Sequence, residues 1–365
     1  MYIMKKGLEK KKLKEDFSKK ILHLFKRRKF NFTDLDLLID TSLLTERSGE
    51  QFKKSTLTYR DLLGKEVSLR PDLTVSTALK YIQEKKTKEE RFCYYGTAYR
   101  LDKKGDLKVF DQLGCELINS SNKNSSLILL ETILDPIKKI KKLQVNLGDV
   151  GLFKILIDSL DLPGRWKLRL VRHFSRREYF SDLLKRLETN YDLDQLTIDV
   201  DTQRLKNLVK MDQNKVIGGR TIAEIVKRFK KKLKDPRDDF KGRKNVKIIK
   251  DFLKINLPLS KADNFIVNFF NKNKLPINNI KNYLKKIILI NQQIGKKYNI
   301  TFKTDFGRNT EYYTGIVFLA YIKKRNQVSE LARGGEYNNL LKTLGYKKNI
   351  PSLGGAINLN QLINL

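Results

Sequence analysis

Apolar residues recur along this chain with two different periods, and the change between them divides it into three parts. Over Lys10–Arg28, Leu13, Phe17, Ile21, Leu24 and Phe25 form one stripe with lysines opposite, the spacing of an amphipathic helix. The basic run Lys26–Lys29 suits its C-terminal end. Phe30–Leu38 reads as a short strand and its exit, and Thr56–Arg60 and Glu66–Leu69 as strands around the turn Asp61–Lys65. Pro71 then ends the strand by pushing Arg70 toward extended geometry, and Asp72 is placed to cap a helix over Val75–Gln83. Period-two alternation dominates Arg91–Asn119, with strands Phe92–Arg100 and Val109–Ile118 joined by a charged loop. In the second strand Phe110, Gln112, Gly114 and Glu116 share a face, with Val109, Asp111, Leu113, Cys115 and Leu117 on the other. Glycine weakens a strand unless a ligand or another backbone comes close. The alternation by itself fits the solvated face of a hairpin equally well.

A polar turn over Ser120–Ser126 leads into a helix over Leu127–Ile137. From Leu143 the period becomes helical. After a short strand at Leu143–Gly148, helices are expected over Val150–Leu160 and Trp166–Phe174, either side of Pro163-Gly164, and over Phe180–Lys215. Another follows Gly218-Gly219 over Thr221–Lys234, and Pro236, Pro258 and Pro276 punctuate shorter ones. Strands return at Ile300–Phe306, Tyr312–Ile322 and Gln327–Ala332. Gly334-Gly335 reads as a turn before a helix over Tyr337–Leu344, where backbone N–H groups approach a ligand. Gly354-Gly355 reads as a second turn before a closing strand or helix. The expectation is an α+β architecture: an antiparallel sheet flanked by helices, formed by 1–142 and 282–365 and interrupted by a mostly helical insert, 143–281.

Composition alters this picture little. A chain of 365 residues holds two or three packed units, and 40% hydrophobic with 10% aromatic residues supports a globular core. The net charge of +35 would ordinarily suggest nucleic acid. The lysines, however, spread from Lys10–Lys12 to Lys347-Lys348 and form no compact basic-aromatic motif. That distribution reads as surface composition, with an acidic protein partner as the other outlet. Two histidines and two cysteines exclude a His/Cys metal centre, and Cys93 and Cys115 read as small buried apolar residues. The N-terminus lacks the apolar core of a signal peptide and no run is long enough to span a bilayer, so a reducing cytoplasmic setting is expected.

Six stretches carry a resemblance that periodicity cannot supply: LRPDLT (Leu69–Thr74), YYGTAYR (Tyr94–Arg100), FDQLGCELI (Phe110–Ile118), EYYTGIVF (Glu311–Phe318), RGGEYNNLL (Arg333–Leu341) and SLGGAINL (Ser352–Leu359). In this order they resemble the catalytic core of histidyl-tRNA synthetase, a class II aminoacyl-tRNA synthetase. The departures are as informative. Gln361 stands where that class carries a phosphate-gripping arginine, and Gln has neither the permanent charge nor the bidentate fork. The loop Leu101–Lys108 is short and keeps only Lys108 of the usual basic pattern, and Leu79 replaces a common arginine. The first class motif, near Asp40–Leu44, matches poorly, and the sequence ends at Leu365 without an anticodon-binding region. The stretches Leu147–Phe174, Gly218–Phe229 and Asp305–Phe318 are similar to a related family, the regulatory subunits (HisZ) of ATP phosphoribosyltransferase. That resemblance implies a subunit without chemistry of its own and without a cofactor or metal. It would dimerise inside a hetero-oligomer with a short-form catalytic subunit, and L-histidine would act as allosteric inhibitor of the first step of histidine biosynthesis.

The same resemblance implies a histidine pocket. Asp72, Gln112 and Glu116 would hold the α-ammonium, with Thr74 adding a hydroxyl. Arg100 and Arg308 would face the carboxylate and the phosphate end of the adenylate, and Tyr312, Tyr313, Gly334, Gly335 and Tyr337 would wall the imidazole. Asn338 and Glu336 depart from the pattern on the phosphate side. Each residue also has a plain structural use: Asp72 as a cap, Arg100 as a partner of Glu116, the tyrosines as sheet residues. Two rivals stay open at this point: a divergent synthetase paralogue activating histidine for a non-tRNA acceptor, and a tRNA-binding protein.

Overall fold

Helix α1 (Tyr2–Arg27) buries Ile21 and Phe25 of the expected stripe and ends on Lys26 and Arg27. Strand β1 (Asn31–Phe32) follows, and then β2 (Leu38–Asp40), β3 (Thr58–Arg60) and β4 (Glu66–Leu69), which pair antiparallel in the order β2-β4-β3. The β3–β4 turn is set by Asp61, whose carboxylate accepts from the N–H groups of Leu63 and Lys65, and by Gly64 at φ +77°. In this computed structural model the described residues are 2–42, 55–102, 104–189, 195–217, 220–233, 239–308, 312–324 and 327–365. Leu43-Leu44 of the first class motif, Gly218-Gly219, Lys234, Pro236 and Glu311 lie outside them.

Helix α2 (Leu73–Gln83) leads into the long hairpin of β5 (Glu90–Leu101) and β6 (Leu107–Ile118). Helix α3 (Ser125–Leu134) and β7 (Gln144–Asp149) come next. After α4 (Val150–Ser159), α5 (Gly164–Arg172), α6 (Arg177–Thr189) and α7 (Gln195–Val209), the small hairpin β8 (Val216–Ile217) and β9 (Arg220–Thr221) precedes α8 (Ile222–Leu233) and α9 (Asp239–Leu253). The chain returns through β10 (Asn256–Pro258), α10 (Ala262–Lys272), α11 (Asn278–Ile294), β11 (Asn299–Lys303), β12 (Ile316–Lys324), β13 (Gln327–Glu336), α12 (Leu340–Thr343), β14 (Ser352–Asn358) and α13 (Leu359–Leu362).

Two compact units result, 1–151 with 256–266 and 281–365, and 152–255 with 267–280. The first holds a nine-stranded sheet in the order β1-β5-β6-β14-β13-β12-β7-β11-β10. Its centre is antiparallel, as expected, but β1 runs parallel to β5 and β11 parallel to β7. The expected insert boundary at Leu143 needs correction, because β7 pairs with both β12 and β11 and so belongs to the sheet. Strand β10 also joins the sheet from within the supposed insert, by pairing with β11. The strand itself stands where expected at Leu143–Gly148; its partners β11 and β12 lie far along the chain, which local sequence does not reveal. The expected helix Phe180–Lys215 is two helices, and the expected strand at Tyr312 begins only at Ile316. Neither glycine pair forms a turn: Gly334-Gly335 and Gly354-Gly355 lie inside β13 and β14 and pair with one another.

On one side of the first unit's sheet, Val75, Ala78, Leu79 and Tyr81 of α2 pack with Phe92, Ile118, Val317 and the segment holding Tyr337, Leu340, Leu341 and Leu344. Each such fully buried large side chain contributes about 1.5–3 kcal/mol, which fixes α2 and therefore its N-terminus. Cys93 and Cys115 face each other across β5 and β6, both buried and reduced. The second unit is helical apart from β8 and β9, with Phe153 stacked on Phe174 at 3.8 Å and Trp166 fully buried. No helix among the described residues is long and apolar enough to cross a membrane.

Candidate functional site

The first turn of α2 and the middle of β6 bring the predicted polar residues together. Asp72 caps α2 from extended backbone, accepting from the Val75 N–H at 2.9 Å. One turn into the helix, the Thr74 hydroxyl donates to Glu116 Oε1 at 2.7 Å. Gln112 Oε1, four residues before Glu116 on the same face of β6, accepts from the Leu73 N–H at 3.3 Å. Arg100 lies at the far end of β5. Its Nε donates to the Pro71 carbonyl at 2.6 Å, Nη2 lies 3.5 Å from Asp72 Oδ2, and its guanidinium sits 5.2 Å above the Phe110 ring. Arg100 therefore pairs with Asp72, not with Glu116.

Glu116 is the centre of the group. It is fully buried and accepts from three hydroxyls, those of Thr74, Tyr94 at 2.8 Å, and Tyr337. Burial pushes its carboxyl up to about 7; the three hydroxyl bonds pull the other way, and the charge of Asp72 adds to the rise. Among the described residues no cation forms an ion pair with it. Tyr312 and Tyr313 precede β12 with their rings 4.8 Å apart, and Tyr312 meets the Tyr337 ring edge-on at 6.2 Å. Burial holds the phenols of Tyr94, Tyr312 and Tyr337 well above their usual range and pushes that of Tyr313 to about 12, so all four keep their protons.

The glycines serve this group differently from the expectation. A Cβ on Gly354 would overlap the Glu116 carboxylate, one on Gly114 would lie 2.6 Å from the Tyr94 hydroxyl, and one on Gly335 would lie 2.9 Å from the Tyr313 ring. They are the notches in β14, β6 and β13 that admit neighbouring side chains, and a Cβ on Gly114 would also lie 2.6 Å from the Gly355 carbonyl oxygen. Gly334 is not with the group: a Cβ there would meet the Gly354 carbonyl at 2.3 Å and the Phe318 ring at 2.7 Å. Arg308 is buried on the turn that follows β11. Tyr94 and Gly354 are the residues that sequence reasoning missed. The hairpin register, which sets Tyr94 opposite Gly114, carried the signal for the first.

The departures have structural uses of their own. Leu79 is part of the apolar core, and Gln361 is exposed on α13 with its N–H bound to Asn358 Oδ1 at 3.2 Å. Asn338 Oδ1 accepts from the Ser352 N–H at 2.9 Å. The short loop between β5 and β6 is a tight turn in which Asp102 accepts from the N–H groups of Lys104 and Asp106. Glu336 accepts from Ser126 at 2.6 Å and pairs with Lys286 at 3.5 Å. Lys286 also pairs with fully buried Asp149 at 2.8 Å, and the Tyr283 hydroxyl donates to Asp149 at 2.8 Å. Burial disfavours the charge on Lys286, yet Asp149 and Glu336 together hold its ammonium above the ordinary range.

A nine-stranded, largely antiparallel sheet with an acid and hydroxyls gathered beneath a helix N-terminus is the architecture of a class II synthetase core. A family profile described as histidyl-tRNA synthetase matches residues 7–362, and the chain belongs to that family. Its relatives give a narrower description. A protein of Rhizobium rhizogenes named ATP phosphoribosyltransferase regulatory subunit is 23% identical over 369 residues, spanning 95% of this chain and 96% of its own. One of the same name from Rhizobium johnstonii is 26% identical over 365 residues, with 95% and 96% covered. A crystal structure of an ATP phosphoribosyltransferase regulatory subunit/histidyl-tRNA synthetase from Bacillus halodurans has a TM-score of 0.65 at 15% identity, over 97% of this chain and 79% of that one. The ATP phosphoribosyl transferase (HisG:HisZ) complex from Thermotoga maritima gives 0.55 at 17% identity, over 95% and 97%. At these identities the structural likeness speaks for the fold.

Proposed function

We propose that this chain is the regulatory subunit of an ATP phosphoribosyltransferase, without chemistry of its own, and that it binds L-histidine at the Glu116 group. The observation that supports the first part is the end-to-end match to relatives of that name, which spans 95% of this chain and 96% of theirs. The second part rests on the chemistry of that group. Among the described residues, Glu116 is a buried carboxylate supplied with hydroxyl donors and no cation, next to aromatic rings, so a cationic ligand of small size completes it. Histidine offers an ammonium to Glu116 and Asp72, a carboxylate within reach of Arg100, and a flat ring for Tyr312, Tyr313 and Tyr337. The partner is a short-form catalytic subunit in a cytoplasmic complex, and histidine inhibits by favouring one of two arrangements of the pair.

The test is reconstitution. Purified chain mixed with a short-form catalytic subunit should yield ATP- and phosphoribosyl-pyrophosphate-dependent activity that neither protein has alone and that histidine lowers. Absence of activation sinks the regulatory reading. Histidine-dependent exchange of pyrophosphate into ATP by this chain alone would instead favour the synthetase paralogue.

A further inference from the structure

The second unit carries an apolar surface that its own fold does not use. Between α7 and α8, Val209, Met211, Val216 and Ile217 are 50%, 37%, 61% and 47% exposed. They stand within nine residues of one another, Val209 at the end of α7, Met211 on the bend after it and Val216 and Ile217 on β8. The segment is nonetheless tightly built. Gln213 Nε2 donates to the carbonyls of Leu208, Val209 and Met211, at 3.1, 3.3 and 2.8 Å, closing the end of α7. The Ala223 N–H donates to the Gln213 carbonyl and the Ile222 N–H to that of Lys215. Thr221 and Glu224 cap α8 reciprocally, each side chain accepting from the other's N–H. A surface held this firmly loses little conformational freedom on binding.

The charges around it are unbalanced. Lys206, Lys210, Lys215 and Arg220 are exposed, and none has an ion pair among the described residues. The acids within this segment are occupied by backbone: Asp212 accepts from the Asn214 N–H at 3.0 Å, and Glu224 from the Thr221 N–H. An apolar centre with a cationic rim calls for a partner of the opposite kind.

We infer that the surface formed by the end of α7 and the β8–β9 hairpin docks an acidic protein face with an apolar centre. On the regulatory reading, this is a face of the catalytic subunit. Valine, isoleucine and methionine offer no aromatic plane on which bases stack, which sets this surface apart from a nucleic-acid platform. Buried apolar centres set the lifetime of such contacts, and cationic rims set the encounter rate and its salt dependence.

The experiment titrates the full chain with the short-form catalytic subunit, following complex formation by sedimentation velocity and activation by enzyme assay, at low and physiological salt. The two variants are Ile217→Asp and the double charge reversal Lys215→Glu/Arg220→Glu. The first should weaken association roughly thirtyfold, and the second about tenfold with loss of most of the salt dependence. Circular dichroism and the urea-denaturation midpoint of each variant alone should match the wild type, which separates docking from misfolding. Variants that associate and activate as the wild type does overturn the inference. So does a loss of self-association, or of tRNA binding, with the catalytic subunit still held. A wild-type chain that never binds the catalytic subunit fails the functional reading itself, a result distinct from any behaviour of the variants.

Discussion

Two buried acid clusters in the first unit solve the same electrostatic problem in opposite ways. Asp149 is fully buried, and the protein supplies its counter-ion: Lys286 lies 2.8 Å away, shared with Glu336, and Tyr283 adds a hydroxyl. Glu116 is just as buried, yet three hydroxyls surround it and, among the described residues, no cation pairs with it. A buried carboxylate without a cation resists ionisation, and its rise to about 7 follows from that. A counter-ion of its own marks the first cluster as architecture. The incompleteness of the second marks it as a site whose missing charge a ligand can bring.

The sharpest way to break this contrast is to remove the charge from each. Lys286→Met leaves Asp149 and Glu336 facing each other in a buried setting and should cost about 3–5 kcal/mol of stability by urea denaturation. Glu116→Gln keeps the shape, removes a charge that the free protein suppresses and turns one acceptor oxygen into a donor amide that a rotated hydroxyl can meet, so its cost should stay within about 1–2 kcal/mol. Equal losses in the two variants would dissolve the distinction.

Acidity offers the next test. Glu116 has a raised pKa in the folded chain, about 7, whereas in the unfolded chain it titrates near the usual value of about 4.3. Its protonated form therefore favours the fold. That contribution is fully present below the unfolded pKa and is lost as pH rises through about 7. Relative to Glu116→Gln, the free wild-type chain should lose about 3 kcal/mol between pH 4 and pH 8. Saturating histidine should reduce this loss. A flat difference across that range contradicts the assignment.

Smaller effects follow from the geometry. Gly354→Ala sets a methyl against the Glu116 carboxylate and should cost about 1–3 kcal/mol together with histidine affinity. The control is Gly105→Ala, whose position at a tight turn has open space and carries only backbone strain at φ +88°. Tyr94→Phe removes one donor to Glu116 and should cost about 1 kcal/mol.

Local chemistry was legible in the sequence and long-range register was not. The cap at Asp72, the Pro71 break and the β5–β6 hairpin follow from neighbours a few residues apart, and all stand where expected. Thr74, Gln112, Glu116 and Tyr337 do gather, but that placement came from resemblance to a family, since strand alternation alone fitted a solvated face. The glycine pairs were misread because a turn and a notch in mid-strand have the same local sequence. Only the pairing of β13 with β14, and of β14 with β6, shows that Gly354 makes room for Glu116. The Asp149 cluster was invisible for a related reason, since Tyr283 lies 134 positions from the acid it serves.

The most direct test of the account is calorimetric titration of L-histidine into the purified chain, alone and with the catalytic subunit, for wild type and Glu116→Gln. The account predicts saturable binding by the wild type, weakened about a hundredfold or more by Glu116→Gln because a desolvated charge partner is lost, while stability stays near that of the wild type. Equal affinity in the two proteins, or no binding by either, would contradict the claim that Glu116 awaits the charge of a ligand.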